Sequence, residues 1–215
     1  ASSTSWPKNM AAKVGDRLTF PAEAVWIGSD HPFDLHEAYL CFRSPAAWRL
    51  DRRPALAWLD ITADSRYRLW INGQFVARGP ARSYPHAQAV DHLNVTEYLR
   101  AGPDLLAVQL YQPGYSHFSY VHRGAAGLLA CLRCDGQVSL VSASAWRVRR
   151  DASFNAQVQR VSIYGSGVED RDLRLADAGW LLQEYDDSGW APARLGAPVG
   201  GYPWLQLKPR LVPLL

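Results

Sequence analysis

Two stretches between strand-like runs gather side chains suited to holding a polar ligand. The first carries Arg78, Arg82, Tyr84 and His86, and the second Tyr115, His117, Phe118, Tyr120, His122 and Arg123. Aromatic faces lie well against the C–H patches of a saccharide, while planar guanidinium and imidazole groups bond its hydroxyls. The two loops are expected to share one rim. In the alternative arrangement Tyr84, Tyr115, Phe118 and Tyr120 close the end of a core, and the Arg and His residues pair with nearby carboxylates or backbone. Trp70, outward on its strand, is a further surface candidate.

Other chemistries are poorly served. Glycoside hydrolysis needs two carboxyl groups facing each other across the bond, about 5–5.5 Å apart for retention or about 6.5–9.5 Å for inversion. The available acids are Asp60, Asp64, Asp91, Glu97, Glu169, Asp170 and Asp172. They read as structural or solvated: Asp60 lies opposite Ile61 on a strand, Asp64 sits at a turn, and Glu169-Asp170-Arg171-Asp172 is a mixed-charge loop. No catalytic residue is expected. Cys131-Leu132-Arg133-Cys134 has redox or zinc spacing, but on a strand positions i and i+3 face opposite ways and no second ligand pair stands nearby. Tyr164-Gly165-Ser166-Gly167 lacks the strand-to-helix context of a nucleophile elbow. No acidic loop has calcium spacing, so neither metal nor cofactor is expected.

The elements that must position the loops are strands. In 57–80, Ala57, Leu59, Ile61 and Ala63 alternate with Trp58, Asp60 and Thr62, and Tyr67, Leu69 and Ile71 alternate with Arg66, Arg68 and Trp70. Each run has one apolar face with period two. Asn72-Gly73 then suits a two-residue type I′ turn, because both residues tolerate positive φ. The segment is expected to form three consecutive antiparallel strands. Further strands are expected at 24–27, 38–42, 55–63, 74–77, 104–111, 127–134, 138–142 and 145–149, separated by long polar loops at 79–91 and 112–124. Asn94 is placed to cap one helical turn before Gly102-Pro103. Many short strands and no long helix give an all-β class, a two-sheet sandwich or jelly roll.

Composition fits a folded domain. The 215 residues are 48% hydrophobic with nine Trp and ten Tyr, and the formal charge is +3, which excludes a disordered chain. The one basic run, Arg147-Val148-Arg149-Arg150, reads as a solvated strand face, so no nucleic-acid partner is expected. No apolar run reaches the roughly 20 residues of a membrane span, and Ala1-Ser2-Ser3-Thr4-Ser5 has no signal-peptide core. No membrane partner is expected. Three cysteines favour a reducing compartment, and positive charge carried almost wholly by Arg suggests a GC-rich bacterial genome, so bacterial cytoplasm is favoured over periplasm. Residues 1–19 read as an arm and 20–200 as the sandwich. The Pro-rich 201–215 is either a last strand pair with a linker or a segment packed on a neighbour, and its apolar ending favours the second.

Several pieces in order resemble one family. They are Ala38-Tyr39-Leu40-Cys41-Phe42-Arg43, then Tyr67-Arg68-Leu69-Trp70-Ile71-Asn72-Gly73, Gly79-Pro80-Ala81-Arg82, and Asp91 to Leu99 leading into Gly102-Pro103-Asp104-Leu105-Leu106-Ala107-Val108. Ser144-Ala145-Trp146-Arg147-Val148 and Tyr185-Asp186-Asp187-Ser188-Gly189-Trp190-Ala191-Pro192-Ala193 follow. Over about 24–213 the chain resembles the N-terminal β-sandwich of bacterial α-L-rhamnosidase-like proteins, glycoside hydrolase family 78 and its relatives. The hairpin piece also recurs in galactose-binding-like sandwiches of β-galactosidase and β-glucuronidase relatives. The resemblance implies a galactose-binding-like jelly roll, with catalytic carboxylates on a separate C-terminal (α/α)6 domain. It implies a non-catalytic accessory domain that docks on that partner and contacts a rhamnose-containing or other oligosaccharide. Arg78, Arg82, Tyr84, His86, Tyr115, His117, Tyr120, His122 and Arg123 then become candidates for either contact. A free-standing carbohydrate-binding module and a structural spacer are the rivals.

Overall fold

A computed structural model describes residues 18–29, 35–84 and 86–213. The expected arm lies outside the described residues except for its last two positions. Among the described residues fifteen strands follow in chain order: β1 (Val25–Gly28), β2 (Ala38–Arg43), β3 (Arg49–Leu50), β4 (Ala57–Asp64), β5 (Arg66–Ile71), β6 (Gln74–Gly79), β7 (Gln88–Asn94), β8 (Gly102–Pro103), β9 (Leu106–Gln112), β10 (Gly127–Cys134), β11 (Gln137–Val141), β12 (Arg147–Arg150), β13 (Ala191–Pro192), β14 (Arg194–Pro198) and β15 (Leu207–Pro209). One sheet runs β14-β1-β10-β4-β7-β15 with β11 beside β10, the other runs β13-β12-β2-β9-β5-β6, and β3 and β8 form a small pair. The all-β jelly-roll class expected from the alternation is the one observed.

The core lies between the two sheets. Leu59, Ile61 and Ala63 of β4 and Leu128, Ala130 and Leu132 of β10 meet Leu69 and Ile71 of β5, Leu40 and Phe42 of β2, and Val108 and Leu110 of β9. Each fully buried Leu or Ile contributes roughly 1.5–3 kcal/mol, which fixes the facing of both sheets.

Asn72 (φ 50°) and Gly73 (φ 79°) close the β5–β6 hairpin in the expected conformation. The hairpin also carries a bulge. Ile71 pairs with Gln74 and Trp70 with Phe75, but Leu69 pairs with Ala77 and Arg68 with Arg78. One extra residue on β6 thus brings Arg78 onto the outer face beside Arg68. In unbroken register Arg78 would stand opposite Tyr67 and point into the core.

Three expectations are corrected. Residues 57–80 are not one antiparallel run, because β4 pairs with β10 and β7 while β5 pairs with β6 and β9. Only Ser65 separates β4 from β5, so the chain crosses between sheets there. The polar stretch 79–91 is not all loop, since β7 begins at Gln88. Gln88 is buried despite its polarity, donating to Thr62 Oγ1 and to the Ala63 carbonyl, both at 3.1 Å. For 201–215 the sequence offers a last strand pair with a linker and, as the favoured reading, packing on a neighbour; the segment instead lies on the sandwich through Arg210. There β15 pairs in parallel with β7, and Trp204 stacks on Trp26 at 3.9 Å. Pro209 is tolerated because β15 is an edge strand.

The outer face of the second sheet is covered over half its width. Trp180, Tyr185 and Trp190 pack on Cys41 and Ala107. Arg43 staples this aromatic flap, donating to Asp187 at 2.7 Å and to the carbonyls of Trp180 and Leu182. The other half of that face opens into a cleft.

Candidate ligand cleft

The cleft holds about 540 Å³, within the roughly 300–1,000 Å³ of ordinary ligand sites. Its floor is the outer face of β5, β9 and β2, where alternation turns Arg66, Arg68, Gln109, Tyr111 and Tyr39 outward. The end of β6 and the loop after it supply one wall through Arg78 and Arg82. The loop between β9 and β10 supplies another through Ser119, Tyr120 and Arg123, and Ser166, Gly167 and Glu169 close the third side.

A buried carboxylate ties the β9–β10 loop to the segment that carries Trp204. Asp64, at the end of β4, accepts from Tyr120 Oη at 2.5 Å and from Trp204 Nε1 at 2.7 Å, with Arg123 Nε 3.9 Å away. Burial pushes its pKa up, and these donors oppose the shift. Behind the β6 wall, Asp91 accepts from Tyr67 Oη at 2.5 Å and from Arg210 Nη1 at 2.9 Å. A Cβ on Gly79 would come within 2.0 Å of Asp91 Oδ2 and 2.8 Å of the Tyr67 ring, so only glycine lets β6 end this close to the pair. Glu37 accepts from Tyr111, Tyr115 and the Gly167 amide, anchoring the third wall. Burial and that bond to Glu37 push the Tyr115 hydroxyl up to about 12.

The structure divides the nine residues singled out from the sequence. Arg78, Arg82, Tyr120 and Arg123 line the cleft. Tyr115 and His117 stand behind it. Burial, followed by the charge of Arg66 and Arg160, lowers the His117 pKa, and its Nε2 is buried with no hydrogen bond. His122 contacts Gln112 at 3.4 Å, and Tyr84 stacks on His86 at 5.7 Å on the outer rim while its carbonyl accepts from Arg123. Sequence reasoning missed Arg66 and Arg68 as site residues, although their outward alternation was legible. It also missed Tyr39, Tyr111 and Glu169, which meet only through the β2–β9 pairing and the fold-back of 151–178.

The other sequence-level candidates are held locally. Asp60 contacts His92 Nδ1 at 2.5 Å and accepts from Arg133 at 2.9 Å, Asp170 accepts from Asn155 at 3.0 Å, and Asp172 pairs with Arg174 at 2.7 Å. Cys131 is buried and Cys134 half-buried on opposite faces of β10, and burial pushes the Cys131 thiol up to about 11. Among the described residues no three His, Cys, Asp or Glu side chains gather as metal ligands, and no helix is long and apolar enough to cross a membrane.

The fold and site define a two-sheet jelly roll with an open cleft on the outer face of one sheet, and comparison narrows the class. The alpha-L-rhamnosidase N-terminal domain profile matches residues 52–201, and the chain belongs to that family. Among solved structures it is similar to the GH78 family rhamnosidase of Bacillus sp. GL1, with 36% identity, 89% of this chain covered and a TM-score of 0.81. The alpha-L-rhamnosidase from Dictyoglumus thermophilum shares the fold at 21% identity and a TM-score of 0.68, again over 89% of this chain. A lectin from Pleurotus ostreatus, solved in complex with GalNAc, shares the fold at 14% identity and a TM-score of 0.57, over 89% of this chain and 49% of that one. The chain spans only 20% and 22% of the length of the two rhamnosidases. No curated protein matches.

Proposed function

We propose that the chain serves as a non-catalytic accessory sandwich of an α-L-rhamnosidase-like glycoside hydrolase, contacting carbohydrate at the cleft and docking on a C-terminal (α/α)6 catalytic domain. The observation that carries this reading is the family match over 52–201 in a chain one-fifth the length of the solved rhamnosidases. The cleft supports the carbohydrate contact, since its walls are guanidinium, hydroxyl and amide groups rather than paired acids. The docking surface is best sought along 161–175, where Val161, Ile163, Leu173 and Leu175 are exposed, because a run of exposed apolar side chains marks an interaction face.

A glycan array with the 215-residue chain, run beside hydrolysis of an aryl α-L-rhamnoside, tests both halves. Saccharide binding without hydrolysis is expected, with binding lost in Arg82→Ala. Rhamnoside hydrolysis that copurifies strictly with this chain would overturn the non-catalytic reading.

A further inference from the structure

The cleft is unbalanced in charge. Six arginines line it, Arg66, Arg68, Arg78, Arg82, Arg123 and Arg210, against two carboxylates, Asp64 and Glu169. Asp64 is already engaged by Tyr120 and Trp204, and Glu169 reaches Arg68 only at 3.8 Å. Arg210 is neutralised by Asp91. Among the described residues Arg78 has no hydrogen bond or ion pair, Arg66 has only the Tyr111 ring at 5.9 Å, and Arg82 has only the Ser119 carbonyl at 3.4 Å.

Placement makes this costly. Arg68 and Arg78 are direct cross-strand partners, and like charges directly opposite destabilise a sheet. Arg66 lies two residues along β5, roughly 7 Å from Arg68 at a strand's rise, and the three guanidinium groups bound one corner of the floor. A second observation comes from the wall. The Arg123 side chain is only 7% exposed; its Nη atoms donate to Gln88 and to the Tyr84 carbonyl, while its Nε forms no hydrogen bond and has Asp64 only at 3.9 Å. A buried guanidinium donor left open costs free energy unless something completes it.

We infer that the cleft takes an acidic saccharide unit, a uronic acid whose carboxylate is received by the Arg66–Arg68–Arg78 corner. This deepens the carbohydrate reading above and rests on it. Guanidinium forks match a planar carboxylate through paired N–H donors, which hydroxyl groups alone do not exploit. The rest of the sugar lies toward the rim where Phe118, 77% exposed, meets Tyr164, 61% exposed, edge to face at 5.0 Å. This rim adjoins the cleft, because Ser119, which lines it, donates to the Tyr164 carbonyl at 3.4 Å. Open ring faces beside a cationic floor suit a sugar with one charged substituent better than a peptide.

Calorimetric titration of the chain with digalacturonic acid and with its dimethyl ester tests the inference directly. The acid is expected to bind at least ten-fold tighter than the ester, with the preference fading as salt rises. Arg66→Gln and Arg78→Gln, which remove no hydrogen bond or ion pair among the described residues, are each expected to weaken the acid at least five-fold and the ester by less than two-fold. Equal binding of acid and ester would overturn the inference while leaving the carbohydrate reading intact, and binding of neither would end the cleft's role for both. Inorganic sulfate or a tetraglutamate peptide competing as well as the acid would overturn it too, the first indicating a general anion site and the second an acidic protein segment.

Discussion

The two halves of one sheet face use the same residue in opposite ways. Under the aromatic flap, Arg43 is 2% exposed, with Asp187 and three carbonyls around its guanidinium. Nearby Arg149 lies over the Trp190 ring at 4.4 Å and pairs with Asp177 at 2.9 Å. Across the same sheet, on β5 and β6, Arg66, Arg68 and Arg78 share that face with one loose carboxylate among them. The sheet supplies the same outward geometry in both places. What differs is the loop above: 177–190 brings acids, carbonyls and rings down onto the arginines, whereas 79–84 and 117–123 bring further arginines and hydroxyls. Matched charges make one half part of the scaffold, and unmatched charges leave the other half open to a ligand.

The strongest way to break the contrast is at its buried end. Arg43→Ala strands Asp187 and the flap carbonyls, and removing one partner of a buried ion pair costs about 3–5 kcal/mol. Chemical denaturation should show a loss of that size, with the flap tryptophans becoming accessible to acrylamide. At the open end, Arg78→Ala should change stability by less than about 0.5 kcal/mol, and in the stabilising direction, because it relieves Arg68. A large loss of stability there would mean that Arg78 belongs to the scaffold after all.

The smallest effect comes from His117, which feels both burial and the cleft cations. Its folded pKa lies below the ordinary 6.5, so between those two values the unfolded chain binds more protons than the folded one. The stability that this neutral His117 contributes is therefore complete above about pH 6.5 and declines as pH falls toward the folded pKa. Melting curves across pH 7 to 5 should show that decline, and Arg66→Ala should shrink it by removing one of the cations that depress the titration. An unchanged pH profile would separate His117 from the cleft.

Much of this contrast could be read from the sequence, and the unread parts have physical causes. The alternation of 66–71 and the Asn72-Gly73 turn placed Arg66 and Arg68 outward, because period two and positive φ are local properties. The side on which Arg78 emerges depends on a bulge at Val76, which nothing in the local spacing marks. β7 was hidden because Gln88 and Asp91 are polar yet buried, one on each face of the strand, their burial compensated by partners 24 to 26 residues away. Trp204 looked like part of a Pro-rich tail, since its stacking on Trp26 and its bond to Asp64 are long-range contacts that sequence pattern does not carry.

That last contact has an optical consequence. Two indoles stacked at 3.9 Å and 20° lie close enough for their electronic transitions to mix, and mixed transitions split into a signed pair of circular-dichroism bands. The splitting exists only while Trp204 rests on Trp26, which in turn holds β15 beside β7 and the indole N–H on the carboxylate at the cleft wall. The protein therefore carries an intrinsic gauge, readable without a label, of whether its last strand is seated and the wall behind it intact.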